Sequence, residues 1–332
     1  MSRLFRDIDG EARCPHGSVV CIGAFDGLHL GHQALVRRAV TRARALGVPA
    51  VTLSFEPLPR ELFARGAPPP RLLSPRAKAE GLFCLGIDQV GLLRFKAKMA
   101  SMSAEDFVRQ VLVRLLDARE VWVGPGFQFG KGRGGDLGLL QQMGAEHAQP
   151  SAQPAGHPDA HARGFIATAI EPVLLDGERV SSTRIRAALQ AGDFATATRL
   201  LGRPYAIGGR VVRGAQLGRT LGFPTANLRF AGKTPPLSGI YATRVHGIGE
   251  TPWASVSSLG TRPTVDGTEP LLEAHLFDFD GDLYGRRIEV EFVAKLRDEE
   301  MFDDLPALTA QMHRDAAQAR ALLMQPQPRV TA

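Results

Sequence analysis

The apolar pattern of this chain changes character part-way along, and that change limits the folds open to it. Up to about residue 143, short β-rich runs ("SVVCIGAF", "PAVTLSF", "DQVGLL", "EVWVG") alternate with segments of helical periodicity. The helix candidates are 33–46, 75–85 behind Ser74, and 104–116 behind Ser103, the last with Glu105 and Asp106 in its first turn. Strand, helix, strand implies parallel strands with crossover helices, hence a doubly wound, Rossmann-like α/β sheet. "GFIATAIEPVLLDG" reads as a further strand ending at an Asp-Gly turn, and "SSTRIRAAL" and "GDFATATRLLG" as two helices. After Tyr205 the rhythm becomes that of an antiparallel β-barrel. "YAIGGRVV", "GIYATRVHGIG", "PWASVSSLG", "LLEAHLFDF" and "RRIEVEFVAKL" are short, β-rich and punctuated by Gly, Pro or Asp-Gly. A terminal helix is expected over 305–323. With 332 residues the chain exceeds an ordinary single domain, so the boundary is expected near 187, giving domains 1–187 and 188–332.

Charge narrows the partners. Lys and Arg number 40 against 34 Asp and Glu, a net +6 that suits small anionic ligands without demanding a polynucleotide. A Gly/Arg-rich RNA-binding protein would interleave basic stripes with aromatics, but only 7% of residues are aromatic and the arginines are scattered. Cys14, Cys21 and Cys84 are odd in number and far apart, which suits a reducing cytoplasm better than a disulfide framework. The N-terminus is studded with charge and about 18 apolar residues never run uninterrupted, so neither a signal peptide nor a membrane contact is expected. The stretch 146–164 has almost no large apolar residues and reads as a loop. Its His147, His157 and His161 are read as solvated and not as a metal tract.

Within the first domain, "GAFDGLHLGH" (23–32) places a glycine-rich turn between a strand and a helix, where unpaired backbone N–H groups attract phosphate. Gly23, Gly27 and Gly31 let a ligand come close, and Asp26 sits at the same strand end. His29 and His32, three apart at a helix start, can face the same phosphates. Ser181, Ser182, Thr183 and Arg184 open a later helix, either as a simple cap or as a second phosphate-facing turn. "GPGFQFGKGR" lacks the first glycine and the final Ser/Thr of a P-loop. In the second domain, Gly214, Gly218 and Gly222, flanked by Arg213 and Arg219, form a basic loop able to wrap phosphates. Thr225 and Asn227 then alternate on one strand face, where a hydroxyl and an amide can jointly hold Mg2+ with ATP. "DFDGD" (278–282) is read as an Asp-Gly hairpin turn.

"GAFDGLHLGH" and "SSTRIR" resemble the nucleotidylyltransferases of the His-x-Gly-His superfamily. With "SFEP", "FQFGKGRGG" and "VVRGAQLGRTLGFPTANL", nearly the whole chain resembles the bifunctional bacterial riboflavin kinase/FAD synthetases. The resemblance implies phosphorylation of riboflavin to FMN and adenylylation of FMN to FAD, with ATP as co-substrate and Mg2+ in both steps. It makes His29 and His32 the holders of the ATP phosphates, Ser181–Arg184 a closure over the pyrophosphate, and Thr225 and Asn227 the Mg2+–ATP ligands. It also makes Glu273 the general base, although an isolated strand carboxylate there would read as merely exposed. Phe127, Arg262, Thr264 and Arg297 are assigned to the flavin. Three positions depart from the family pattern: Ala24 stands where Asn is frequent, Leu58 replaces a histidine and Gly126 an acidic residue. Ser258 occupies a fourth family position, an Asn, and keeps a hydrogen-bonding group. These departures leave a second possibility, a riboflavin kinase whose first domain is a degenerate structural or regulatory module. No oligomeric state is predicted.

Overall fold

The computed structural model describes residues 3–147, 164–214, 217–230, 233–264 and 267–324; the side chains of 217 and 262–268 are outside the description. His157 and His161 also fall outside it. The chain divides into two compact units, Met1–Pro69 with Pro75–Val180, and Pro70–Ser74 with Ser181–Ala332.

The first unit is a sheet of parallel strands in the order β1-β4-β3-β2-β5-β6. Its strands are β1 (Leu4–Phe5), β2 (Ser18–Ile22), β3 (Ala50–Glu56), β4 (Gln89–Arg94), β5 (Ala118–Val123) and β6 (Ile166–Ala169). The central strand β2 is buried along its whole length, as a parallel strand covered on both faces must be. Its crossovers carry α1 (Leu30–Leu46), α2 (Pro59–Leu62), α3 (Pro75–Cys84), α4 (Ala97–Ala100), α5 (Ala104–Phe107) and α6 (Leu137–Glu146).

Several expectations are corrected here. β1 has no sequence signal, because a two-residue edge strand is too short for periodicity. Helix α1 begins at Leu30, not 33, because His29 serves as its cap. Helix 104–116 is α-helical only to Phe107; Val108–Leu115 is a π-helix. Its buried positions, Phe107, Val108, Val111, Leu112, Leu115 and Leu116, repeat every four residues, which fits a turn wider than 3.6. The strand expected over 165–175 breaks after Ala169. A separate hairpin, β7 (Leu174–Leu175) with β8 (Glu178–Arg179), turns at Asp176 and Gly177, both with positive φ.

In the second unit, α7 (Ser182–Gln190) and α8 (Phe194–Leu201) lead into an antiparallel sheet of order β10-β13-β12-β11-β14-β9. Its strands are β9 (Ala206–Arg210), β10 (Ala226–Arg229), β11 (Gly239–His246), β12 (Trp253–Thr264), β13 (Gly267–Leu276) and β14 (Arg287–Arg297). Just beyond β9, the Val212 amide donates to the Asn227 carbonyl at 2.9 Å, so the two sheet edges nearly close into a barrel. Strands β13 and β14 are not neighbours, so 278–282 belongs to a crossover and not to the expected hairpin. The short helix α9 (Leu217–Thr220) lies in the loop before β10, and α10 (Leu305–Met324) packs through Ala319, which is fully buried with Ala242 and Val256 of the barrel.

Candidate active sites

In the first unit β2 runs into a turn whose backbone is held open by left-handed residues: Phe25 (φ 49°), Gly27 (φ 92°) and Leu28 (φ 47°). Phe25 and Leu28 each hold a conformation costing about 1–2 kcal/mol for a residue with a Cβ, strain that their complete or near-complete burial keeps in place. The Gly23 amide donates to Leu53 O at 3.1 Å and Gln33 Nε2 to Leu28 O at 2.9 Å, pinning both ends of the turn.

His29 caps α1 with its side chain, since Nδ1 accepts from the His32 amide at 3.2 Å. That bond puts the proton of a neutral His29 on Nε2 and leaves this N–H to face an anion. The two imidazoles stack 3.7 Å apart, and His32 meets Phe25 edge-on. Burial lowers the His29 pKa to about 4, with Arg179 adding to the effect. Burial also drives His32 well below its usual value, helped by His29, Lys78, Arg60 and Arg179. Both rings are therefore neutral donors near pH 7. Among the described residues His32 Nδ1 is buried without a hydrogen-bond partner.

Asp26 is fully buried and its carboxylate accepts from Arg60 Nη2 at 2.8 Å. Thus the acidic residue of the turn braces α2 in addition to standing at the strand end. Arg60, Arg179 and Lys78 were not legible in the sequence as partners of this turn, because each lies more than thirty residues from it.

Beside the turn lies a cavity of about 770 Å³, within the range of small-molecule sites. Phe55, Phe63, Phe95, Phe107, Phe127 and Phe129 line it, with Phe127 and Phe129 stacked at 5.5 Å. Such walls suit a flat aromatic ligand. Ala24, Leu58 and Gly126, three departures scattered along the sequence, line this one cavity together. Leu58 is 1% exposed, and its amide donates to Glu61 Oε2 at 2.7 Å. A Cβ on Gly126 would meet nothing within 4 Å.

Ser181, Ser182, Thr183 and Arg184 fall in the second unit. There Ser181 is the cap of α7, its Oγ accepting from the Arg184 amide at 3.3 Å.

In the barrel, Asn227 on β10 stands opposite Glu273 on β13. Thr225 Oγ1 donates to Glu273 Oε1 at 3.5 Å, and Asn227 Nδ2 to Thr225 O at 3.1 Å. Asn227 is 4% exposed and its Oδ1 is buried without a donor among the described residues. Gly214 comes so close that a Cβ there would sit 2.7 Å from that oxygen. An acceptor without a donor, a hydroxyl and a carboxylate are hard oxygen ligands, and they fit Mg2+. The loop before them folds back on itself, with the Phe223 amide donating to Gly218 O at 2.7 Å and Gly222 at φ 82°. Arg219 is exposed beside it. Phe223 is gripped between His275 and His313, each ring 4.9 Å away.

Arg297 is engaged within the unit: Nε and Nη2 bind both oxygens of the buried Asp315 carboxylate at 2.8–3.1 Å, and Nη1 donates to Asp298 O at 2.9 Å. It ties β14 to α10. Arg262 and Thr264 lie on β12, and their side chains are outside the described residues.

A parallel α/β unit with a Gly/His turn of buried, neutral imidazoles, followed by a nearly closed barrel with an Asn/Glu pair beside a glycine loop, defines a two-domain nucleotide-dependent transferase. The family described as FAD synthetase matches residues 11–184, and that described as riboflavin kinase (flavokinase) matches 201–323. The bifunctional riboflavin kinase/FMN adenylyltransferase of Escherichia coli (strain K12) is 41% identical over 319 residues, covering 96% of this chain and 97% of the relative. That of Pseudomonas fluorescens is 44% identical over 309 residues, covering 92% and 93%. A crystal structure described as a macrolide-efflux protein from Streptococcus pneumoniae aligns with TM-score 0.73 at 29% identity, over 96% of this chain and 98% of that one. Among the described residues here, no helix is long and apolar enough to cross a membrane. The chain belongs to the bifunctional riboflavin kinase/FMN adenylyltransferase family.

Proposed function

We propose that this chain converts riboflavin to FMN and FMN to FAD, spending one ATP in each step, with phosphorylation assigned to 188–332 and adenylyl transfer to 1–187. The observation that carries the kinase half is the buried, donorless Oδ1 of Asn227 beside the Glu273 carboxylate.

Riboflavin presents a neutral hydroxyl, so its attack on the γ-phosphorus needs a proton acceptor, and Glu273 takes that role. Thr225 and Asn227 would hold Mg2+, which when bound neutralises charge on the transferring phosphate. The loop from Gly214 to Gly222, with Arg219, wraps the triphosphate. Glu273→Gln should lower the rate of FMN formation by about 10²-fold, at the lower end of the range for general-base loss, and with little change in KM for ATP. Steady-state assays on the full chain check this.

In the second reaction the FMN phosphate is already ionised and attacks the α-phosphorus while pyrophosphate leaves, so positioning and charge stabilisation suffice. His29 Nε2–H and the turn's main-chain amides meet the phosphates. Ser181–Arg184 is assigned to the pyrophosphate by its resemblance to the family motif, with Ser181 Oγ also capping α7. The aromatic cavity, Phe127 included, receives the isoalloxazine, whereas the Asp315 clamp argues for a supporting role of Arg297 in the other domain. The protein is read as cytoplasmic, because both reactions consume ATP and its thiols suit a reducing compartment.

A second reading, kinase only, is favoured by one observation: Ala24, Leu58 and Gly126 strip polar groups from the same cavity. Incubating pure protein with riboflavin, ATP and Mg2+ and separating the flavins distinguishes them. FAD accumulating after FMN supports the bifunctional reading, and FMN without FAD at long times supports the alternative. If flavin contact limits adenylyl transfer, Gly126→Asp should raise FAD formation by about three- to tenfold, the worth of one hydrogen bond. The space is open, at the cost of a left-handed aspartate (φ 71°). An unchanged rate would refute that explanation.

A further inference from the structure

The reactions proposed above leave one buried cation of the first unit without a role. Lys78 on α3 is 0% exposed, and burial of an ammonium is costly enough that chains rarely keep one without use. Its Nζ donates to Ser54 Oγ at 3.2 Å, and Ser54 Oγ donates in turn to Ala24 O at 3.1 Å. Ser54 is itself fully buried on β3. Ala24 is the residue from which the chain enters the strained turn at Phe25. One helical turn beyond Lys78, Gly81 packs so tightly that a Cβ would lie 2.5 Å from Leu28 Cδ1, at the other end of the same turn. Helix α3 thus meets the turn at both ends, by a hydrogen-bonded relay at Ala24 and by direct packing at Leu28.

We propose that Lys78 is a positioning residue for adenylyl transfer, acting through Ser54 to fix the Ala24 carbonyl and supplying a desolvated positive charge beneath the anion-facing turn. The inference rests on the adenylyltransferase reading. Fixing the Ala24 carbonyl sets the orientation of the peptide planes that follow, so the amides are aimed before ATP arrives and need no reorganisation in the transition state. The charge acts at low local dielectric, where it is screened less than a surface lysine. The groups facing His32 are His29, Lys78, Arg60 and Arg179, with Asp26 as the acidic residue of the turn. Of that set, Arg60 joins the turn through the buried Asp26 carboxylate, and Lys78, itself fully buried, joins it through Ser54.

Lys78→Met keeps the stem and removes the ammonium, and Ser54→Ala breaks the relay while keeping the charge. In the full chain, Lys78→Met should lower kcat/KM for ATP in FAD formation about 30-fold, about 2 kcal/mol at about 1.36 kcal/mol per tenfold, while FMN formation from riboflavin stays within twofold. Its acid limb should move to higher pH, because losing a cation lets His32 take up a proton more readily. Ser54→Ala should lower kcat for FAD formation about threefold with KM unchanged, about one hydrogen bond. Unchanged FAD kinetics in Lys78→Met, or parallel loss of both activities with a lowered melting temperature, would overturn the proposal. If Lys78→Met does not fold, unchanged kcat in Ser54→Ala overturns it. Absence of FAD formation by the unaltered chain would instead sink the adenylyltransferase reading on which the proposal stands.

Discussion

Asn227→Ala should reduce FMN formation from riboflavin by about 10³-fold or more, since under the proposed function it removes a Mg2+-ligand oxygen worth several kcal/mol where charge develops. The amide is placed for that use. Its Oδ1 is buried with no donor among the described residues, and its Nδ2 is fixed on Thr225 O at 3.1 Å, so the oxygen cannot rotate away without breaking that bond. Truncation costs the fold the two hydrogen bonds that Nδ2 makes to Thr225 O and Oγ1, about 1 kcal/mol each, so the variant remains folded. FAD formation from supplied FMN should be unchanged, because the Gly/His turn and the aromatic cavity belong to the other compact unit. Separate assays of the two half-reactions on the same preparation check the contrast. Equal loss in both would contradict the independence of the two sites. Thr225 cannot substitute, because its hydroxyl is already a separate member of the proposed ligand set and the Oδ1 position is walled by Gly214.

What could be read in advance divides along physical lines. Local chemistry was legible. Ser103 and Ser181 are the caps their spacing promised, and Asp176-Gly177 turns a hairpin because both residues hold positive φ. The parallel-then-antiparallel architecture followed from the switch in apolar period. What escaped was pairing across long sequence separation. Nothing near Asp26 announces Arg60 as its partner, and nothing near Arg297 announces Asp315, eighteen residues on and in another element. The three departures from the family pattern read as separate losses until the fold gathered them onto one cavity wall. The sequence motif suggests a phosphate-facing role for His29, but nothing in it announces the helix cap that the structure shows. Histidine is an unusual cap, and only the observed Nδ1 contact assigns its tautomer.

The observed cap and the proposed phosphate contact together make removal of His29 the sharpest test of the first site. His29→Ala should lower FAD formation by about 10²–10³-fold, the cost of deleting one preorganised donor to developing phosphate charge. It also removes the cap of α1, worth about 1 kcal/mol. His29→Asn separates the two effects, since asparagine caps well but has no imidazole: melting should return while FAD formation stays low. The acid dependence carries a second signature. His29 has its pKa lowered to about 4, so the unaltered chain should form FAD at a nearly constant rate from pH 8 down towards 5 as far as this residue is concerned. In the unfolded chain the same imidazole titrates near 6.5, so below that pH the unfolded state binds the proton first. Stability should therefore fall between about pH 6.5 and 4, and His29→Ala should lose that part of the slope. Thermal melting against pH and rates of FAD formation over the same range measure both. An acid limb centred near 6.5 in the unaltered enzyme and absent from the variant would mean that His29 is exposed and protonatable, not the buried neutral donor that the cap geometry requires.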